Sequence, residues 1–146
     1  LLKSPALERV VVAELHGEIA QWMRDGTIPG ADLLADPRTD VQIGDVRDVV
    51  ASQPDASLDA IVLDVDNGPD FLVHEANAAV YQASFVGTCA SKLTDDGSLC
   101  VWSMAPSADV MAALRTEFTN VDQTRYPVRL QSRDEDYWVL SGRGRR

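Results

Sequence analysis

The stretch DAIVLDVDNGPD, Asp59–Asp70, decides how the chain folds. Four apolar residues, Ala60 to Leu63, run straight into three carboxylates, Asp64, Asp66 and Asp70, with Gly68 and Pro69 among them. A short apolar run bounded by turn residues reads as a strand of a buried parallel sheet. A carboxylate is costly to bury without partners. The run is therefore expected to lie within a sheet, and its carboxyl end to emerge at a rim where water or a cation can meet the acids.

The flanking sequence supplies the rest of such a sheet. Arg9–Leu15 (RVVVAEL) and Thr39–Asp45 (TDVQIGD) read as strands, and Leu58–Asp64 as a third. Between them, Gly17–Gly26 places Ile19, Trp22 and Met23 on one helical face, and Val46–Gln53 is a helix that Pro54 ends. Glu75–Leu93 is expected to form one long helix, with Ala76, Val80 and Phe85 on its apolar stripe. Asp95–Gly97 reads as a turn, Ser98–Met104 as a fourth strand, and Ser107–Phe118 as a helix capped by its serine. Two closing strands, about Asn120–Arg125 and Tyr137–Ser141, have no helix between them and should pair antiparallel. Trp22, Trp102 and Trp138 read as packing residues, and Gly142–Arg146 (GRGRR) as a solvated tail. This alternation predicts an α/β protein with a doubly wound, mostly parallel sheet and an antiparallel C-terminal strand pair, in one domain over 1–146. Ligands in such sheets bind beyond the carboxyl ends of the strands.

Three successive strands end in an acid: Glu14, Asp45 and Asp64. Singly, each reads as a helix cap or a solvated loop residue. Together they read as a site. An acid that ends a strand and precedes a helix, as Glu14 does, suits the hydroxyls of a ribose. The glycine-rich loop that accompanies it lies about 20 residues earlier. It is therefore expected ahead of Leu1, together with the first strand, in a longer protein. Asp64 and Asp66 match positions one and three of a calcium-binding loop, and Glu75 falls at position twelve. Yet Gly68 and Pro69 occupy positions five and six and no helix precedes, so no metal is expected.

The chain has 146 residues and a net charge of −10, with a pI near 4.4. A general nucleic-acid binder needs a basic face, so nucleic acid is not expected as a partner. A cationic small molecule suits the charge, which also favours solubility. Cys89 and Cys100 form no CxxC pair, and His16 and His74 lack zinc spacing, so both thiols read as structural groups of a reducing, cytoplasmic compartment. No apolar run approaches the length of a membrane span, so no membrane partner is expected.

The ordered series VVVAEL, DPRTDVQIGD, DAIVLDVDNGP, a helix carrying Tyr81 and Phe85, and DDGSLCVWS resembles the catalytic domain of the spermidine synthases. These polyamine aminopropyltransferases share the class I S-adenosylmethionine-dependent methyltransferase fold. The resemblance runs from about residue 9 to residue 104. It implies that Glu14 holds the ribose of decarboxylated S-adenosylmethionine, and that Gly44, Asp45 and the Val46 amide meet the adenine. It also implies that Asp64 accepts a proton from the attacking amine, such as putrescine, with Asp66, Asn67, Asp70 and Tyr81 on the substrate side. The family places a second aspartate, followed by proline, three residues after the base. Here that position is Asn67, and Asp66 lies one residue earlier. The family's amino-terminal hairpin, which helps to cover the amine, would also precede Leu1. The expectation is a spermidine synthase-like enzyme whose 146 residues are inactive by themselves, with a homodimer among its open oligomeric states. Two readings compete: a methyltransferase using S-adenosylmethionine on another small molecule, and a noncatalytic nucleoside-binding relative.

Overall fold

The computed structural model describes residues 1–130 and 133–146, which form two compact units, Leu1–Ser52 and Gln53–Arg146. In the first unit, β1 (Val10–Glu14) leads through α1 (Gly17–Arg24) and α2 (Ala31–Ala35) to β2 (Thr39–Ile43) and α3 (Val46–Ala51). The strands pair in parallel from Val10↔Thr39 to Glu14↔Ile43, and the two helices between them supply the crossover that a parallel pair requires. Arg38 fastens the segment before β1. Its guanidinium donates to the carbonyls of Leu2, Ser4 and Leu7 and pairs with Asp36 at 2.7 Å. That hydrogen bond is the chief reason the Asp36 carboxyl is drawn down to about 2. Trp22 on α1 is 47% exposed, which corrects its reading as a packing residue: Ala20 is the residue of this helix that is buried.

In the second unit, β3 (Leu58–Leu63) is followed by a 3₁₀ helix (Glu75–Tyr81), α4 (Ala83–Lys92), β4 (Leu93–Ser103), α5 (Ala108–Glu117), β5 (Phe118–Leu130) and β6 (Arg133–Arg145). The sheet order is β3-β4-β6-β5, with β3 and β4 parallel and the other pairs antiparallel. Leu63, Leu93, Leu99, Val101, Leu114 and Phe118 make its fully buried core. Ser107 caps α5 as expected, accepting a hydrogen bond from the Val110 amide at 3.4 Å. The Cys89 thiol is buried, which pushes it up to about 12, and Cys100 is partly buried and also raised.

Three expectations need correction here. The helix expected over Glu75–Leu93 is broken at Gln82, whose backbone is extended, and its first part is 3₁₀. Asn77 in that part spends its side chain on Asp66 rather than on solvent, and Ala76 is exposed while Val80 and Phe85 are buried. The Asp95–Gly97 turn is absorbed into β4 as an irregularity: β3 advances from Leu58 to Ala60 while its partner advances from Leu93 to Ser98. The terminal GRGRR is strand through Arg145 rather than tail. Gly142 is buried, and a side chain there would press on Phe118, whose Cβ would lie 3.1 Å from the added carbon. Arg145 pairs with Asp95 at 2.9 Å, and the Arg146 guanidinium donates to the Phe118 carbonyl at 3.0 Å.

β1 and β3 each stand at the end of a sheet, so one edge of each carries no ladder among the described residues. β3 alternates: Ile61 and Leu63 are buried but Val62 is 58% exposed. The apolar run is thus covered on one face, not on both. Among the described residues no helix is long and apolar enough to cross a membrane.

Candidate active site

In the first unit, the parallel register brings Glu14 and the Gly44–Asp45 turn to one end of the β1–β2 pair. The Gly44 amide donates to the Glu14 carbonyl at 2.9 Å. Glu14 Oε1 accepts the His16 amide at 2.8 Å, while Oε2 has no hydrogen-bond partner among the described residues. Asp45 is the N-cap of α3, accepting the Arg47 amide at 2.8 Å. The same carboxylate takes the Arg47 side chain at 2.6 Å, and this hydrogen bond is the main cause of its lowered pKa. Sequence reading missed Arg47. Any ligand of the Asp45 carboxylate has to share it with that guanidinium. Val46 stands at the first helical position, where a backbone amide has no acceptor within the helix.

In the second unit, the acids after β3 have unlike environments. Asp66 is bound on both oxygens: Oδ1 accepts the Asn67 amide at 2.8 Å, and Oδ2 accepts the Val73 amide at 2.8 Å and the Asn77 side chain at 2.9 Å. Desolvation raises its pKa, but Asn77 and the backbone amides of Asn67, Val73 and His74 together outweigh that and leave it lowered. Asp66 therefore closes the loop on itself. Asp64, one residue beyond β3, and Asp70 are exposed, and neither makes a hydrogen bond or ion pair among the described residues. These two carboxylates are free to take a cation.

The loop is pinned to the end of β4. The Met104 amide donates to the Asn67 carbonyl at 2.9 Å. Gly68 has φ of 110°, a conformation that favours glycine, and any Cβ there would fall 3.0 Å from the Cβ of the fully buried Ser103. Ser103 Oγ is itself committed, donating to the Ala105 carbonyl at 2.7 Å.

Tyr81 ends the 3₁₀ helix with its ring buried, and its hydroxyl is buried without a hydrogen-bond partner among the described residues. Such an atom costs about 1–3 kcal/mol. Burial, then the charges of Asp66 and Asp64, push the phenol up to about 12, so it stays protonated. The amides of Gly68 and Asp66 favour the phenolate slightly without reaching hydrogen-bond geometry. The resemblance puts Tyr81 on the substrate side, but its orphaned hydroxyl has no signal in the sequence.

No protein-family model matches the chain, and none of the curated proteins matches it in sequence. Solved structures do match. The spermidine synthase from Thermotoga maritima is 18% identical with a TM-score of 0.72, over 96% of this chain and 47% of that one. A probable spermidine synthase from Corynebacterium glutamicum is 24% identical with a TM-score of 0.68, over 92% of this chain and 47% of that one. The N-methyltransferase NodS from Bradyrhizobium japonicum, in complex with S-adenosyl-L-homocysteine, is 15% identical with a TM-score of 0.59, over 93% of this chain and 66% of that one. The chain spans about half the length of the spermidine synthases it matches. Its fold is that of the spermidine synthases and class I methyltransferases: α/β, with a parallel strand pair in the first unit and, in the second, a parallel pair finished by antiparallel strands.

Proposed function

We propose that the protein transfers an aminopropyl group from decarboxylated S-adenosylmethionine to a small amine of the putrescine type. The observation that carries this reading is Asp64. It is an exposed carboxylate, unpartnered among the described residues, at the carboxyl end of a strand, beside a loop that Asp66 holds in shape. An ammonium ion is no nucleophile. In this reading Asp64 binds the cation and accepts one proton, and the freed nitrogen lone pair attacks the propyl carbon next to the sulfonium. The new C–N bond forms as the C–S bond breaks, and sulfur keeps the electron pair as a neutral thioether, methylthioadenosine. Asp70, also exposed, suits a second ammonium group, and Asn67 supplies a polar edge of the same loop.

The first unit, taken by itself, has groups that suit a nucleoside. Glu14, with one oxygen free among the described residues, accepts the ribose hydroxyls, and the Val46 amide meets the adenine. Asp45 does so only while sharing its carboxylate with Arg47. The acidic balance of the chain supports a cationic small molecule over nucleic acid as acceptor. The likeness to an N-methyltransferase supports a second reading, in which the same residues serve methyl transfer from S-adenosylmethionine. The full-length protein, given putrescine with either sulfonium donor, separates the two. Spermidine and methylthioadenosine from the decarboxylated donor support aminopropyl transfer. A methylated amine and S-adenosylhomocysteine from the other support methyl transfer, and binding without turnover to either points to a noncatalytic relative.

A further inference from the structure

The Tyr81 hydroxyl is buried, has no hydrogen-bond partner among the described residues, and lies within electrostatic reach of both Asp66 and Asp64. The amides of Gly68 and Asp66 can only donate. Gly68 cannot shift toward β4, because it already abuts Ser103. The two carboxylates can only accept. Asp66 is fixed by the Asn67 and Val73 amides and the Asn77 side chain, and turning it toward Tyr81 would break those bonds. Asp64 has no bond to lose.

We propose that Tyr81 is a positioning residue whose hydroxyl donates a hydrogen bond to Asp64 when that carboxylate takes up an ammonium group. The bond fixes one Asp64 oxygen and leaves the other directed at the amine. It also gives the buried hydroxyl the acceptor it lacks. This inference rests on the reading of Asp64 as the amine-binding carboxylate, and it adds a residue that does not itself touch the amine.

A double-mutant cycle on the full-length protein tests it, with putrescine affinity measured by calorimetry and amine turnover beside it. Tyr81→Phe keeps the ring and removes the orphaned hydroxyl, so the thermal midpoint is expected to stay level or rise. Putrescine affinity should fall about 3- to 10-fold in Tyr81→Phe. In the Asp64→Asn background the same change should have no further effect. Independent losses that multiply in the double variant would overturn the proposal, because Tyr81 would then act elsewhere than through Asp64. So would a fall in thermal midpoint with unchanged putrescine affinity, which marks a purely structural hydroxyl. If Asp64→Asn leaves putrescine affinity at the wild-type value, the reading of Asp64 fails first, and the inference falls with it.

Discussion

Asn77 donates its side-chain amide to Asp66 Oδ2 at 2.9 Å, joining the first turn of a 3₁₀ helix to the loop that follows β3. The same oxygen accepts the Val73 amide at 2.8 Å. One carboxylate thereby sets the path of the backbone between Asp66 and Asn77. Asp64 and Asp70 make no such bond among the described residues.

If Asp66 is the loop's internal anchor, removing it should loosen the loop and lower stability together. Asp66→Ala leaves the Asn67 and Val73 amides without their acceptor, and the expected cost is about 1–3 kcal/mol. Asn77→Ala removes one donor and should cost about 0.5–1.5 kcal/mol. Urea unfolding of the two variants measures both. An Asp66→Ala protein as stable as wild type would mean that the loop is held by other means.

Gly68 offers a sharper steric test. Its φ of 110° disfavours any side chain, and a Cβ would crowd the buried Ser103. Gly68→Ala is expected to destabilise by about 1–3 kcal/mol. Ser103→Gly in the same protein should recover part of that loss by opening space, although the backbone strain would stay. An unchanged unfolding midpoint in Gly68→Ala would contradict the close approach.

Acid should act on the first unit through Asp36. Its carboxyl is drawn down to about 2 from an ordinary 3.8, chiefly by the Arg38 hydrogen bond. A carboxyl depressed in the folded state lends stability above its unfolded pKa and loses it as the pH falls through the folded value. The contribution is thus intact at neutral pH and disappears between about pH 4 and pH 2. Thermal midpoints taken across that window should fall less steeply in Asp36→Asn than in wild type, and identical slopes would remove Asp36 from the account.

Much of this architecture is legible in the sequence because periodicity and punctuation are local. The runs at Val10–Glu14, Thr39–Ile43 and Leu58–Leu63 stand out as strands, and Ser107 announces α5. What stays hidden depends on partners far along the chain. GRGRR looks like a charged tail until Phe118 needs a glycine beside it, and until Asp95 and the Phe118 carbonyl claim its arginines. An apolar period alone does not show that the segment from Glu75 breaks at Gln82, because the break goes with Asn77 turning to Asp66. For the site, the carboxylates at the strand ends are readable one by one, since strand ends are. Their division of labour is not readable. Asp66 as anchor, Asp45 as the clamp of Arg47, and Tyr81 as an orphaned donor each follow from contacts that spacing does not specify.

The central claim is that Asp64 accepts the proton of the attacking amine, and turnover of Asp64→Asn in the full-length protein tests it most directly. Asparagine keeps the size and polarity of the side chain but removes its charge and basicity. The account predicts that aminopropyl transfer to putrescine falls about 10²–10⁴-fold, the usual worth of a general acid or base. Methylthioadenosine affinity should hold at the wild-type value, since Glu14 and Val46 are assigned the nucleoside. Turnover close to wild type would contradict the account and would pass the role to Asp70, the other exposed carboxylate of the loop.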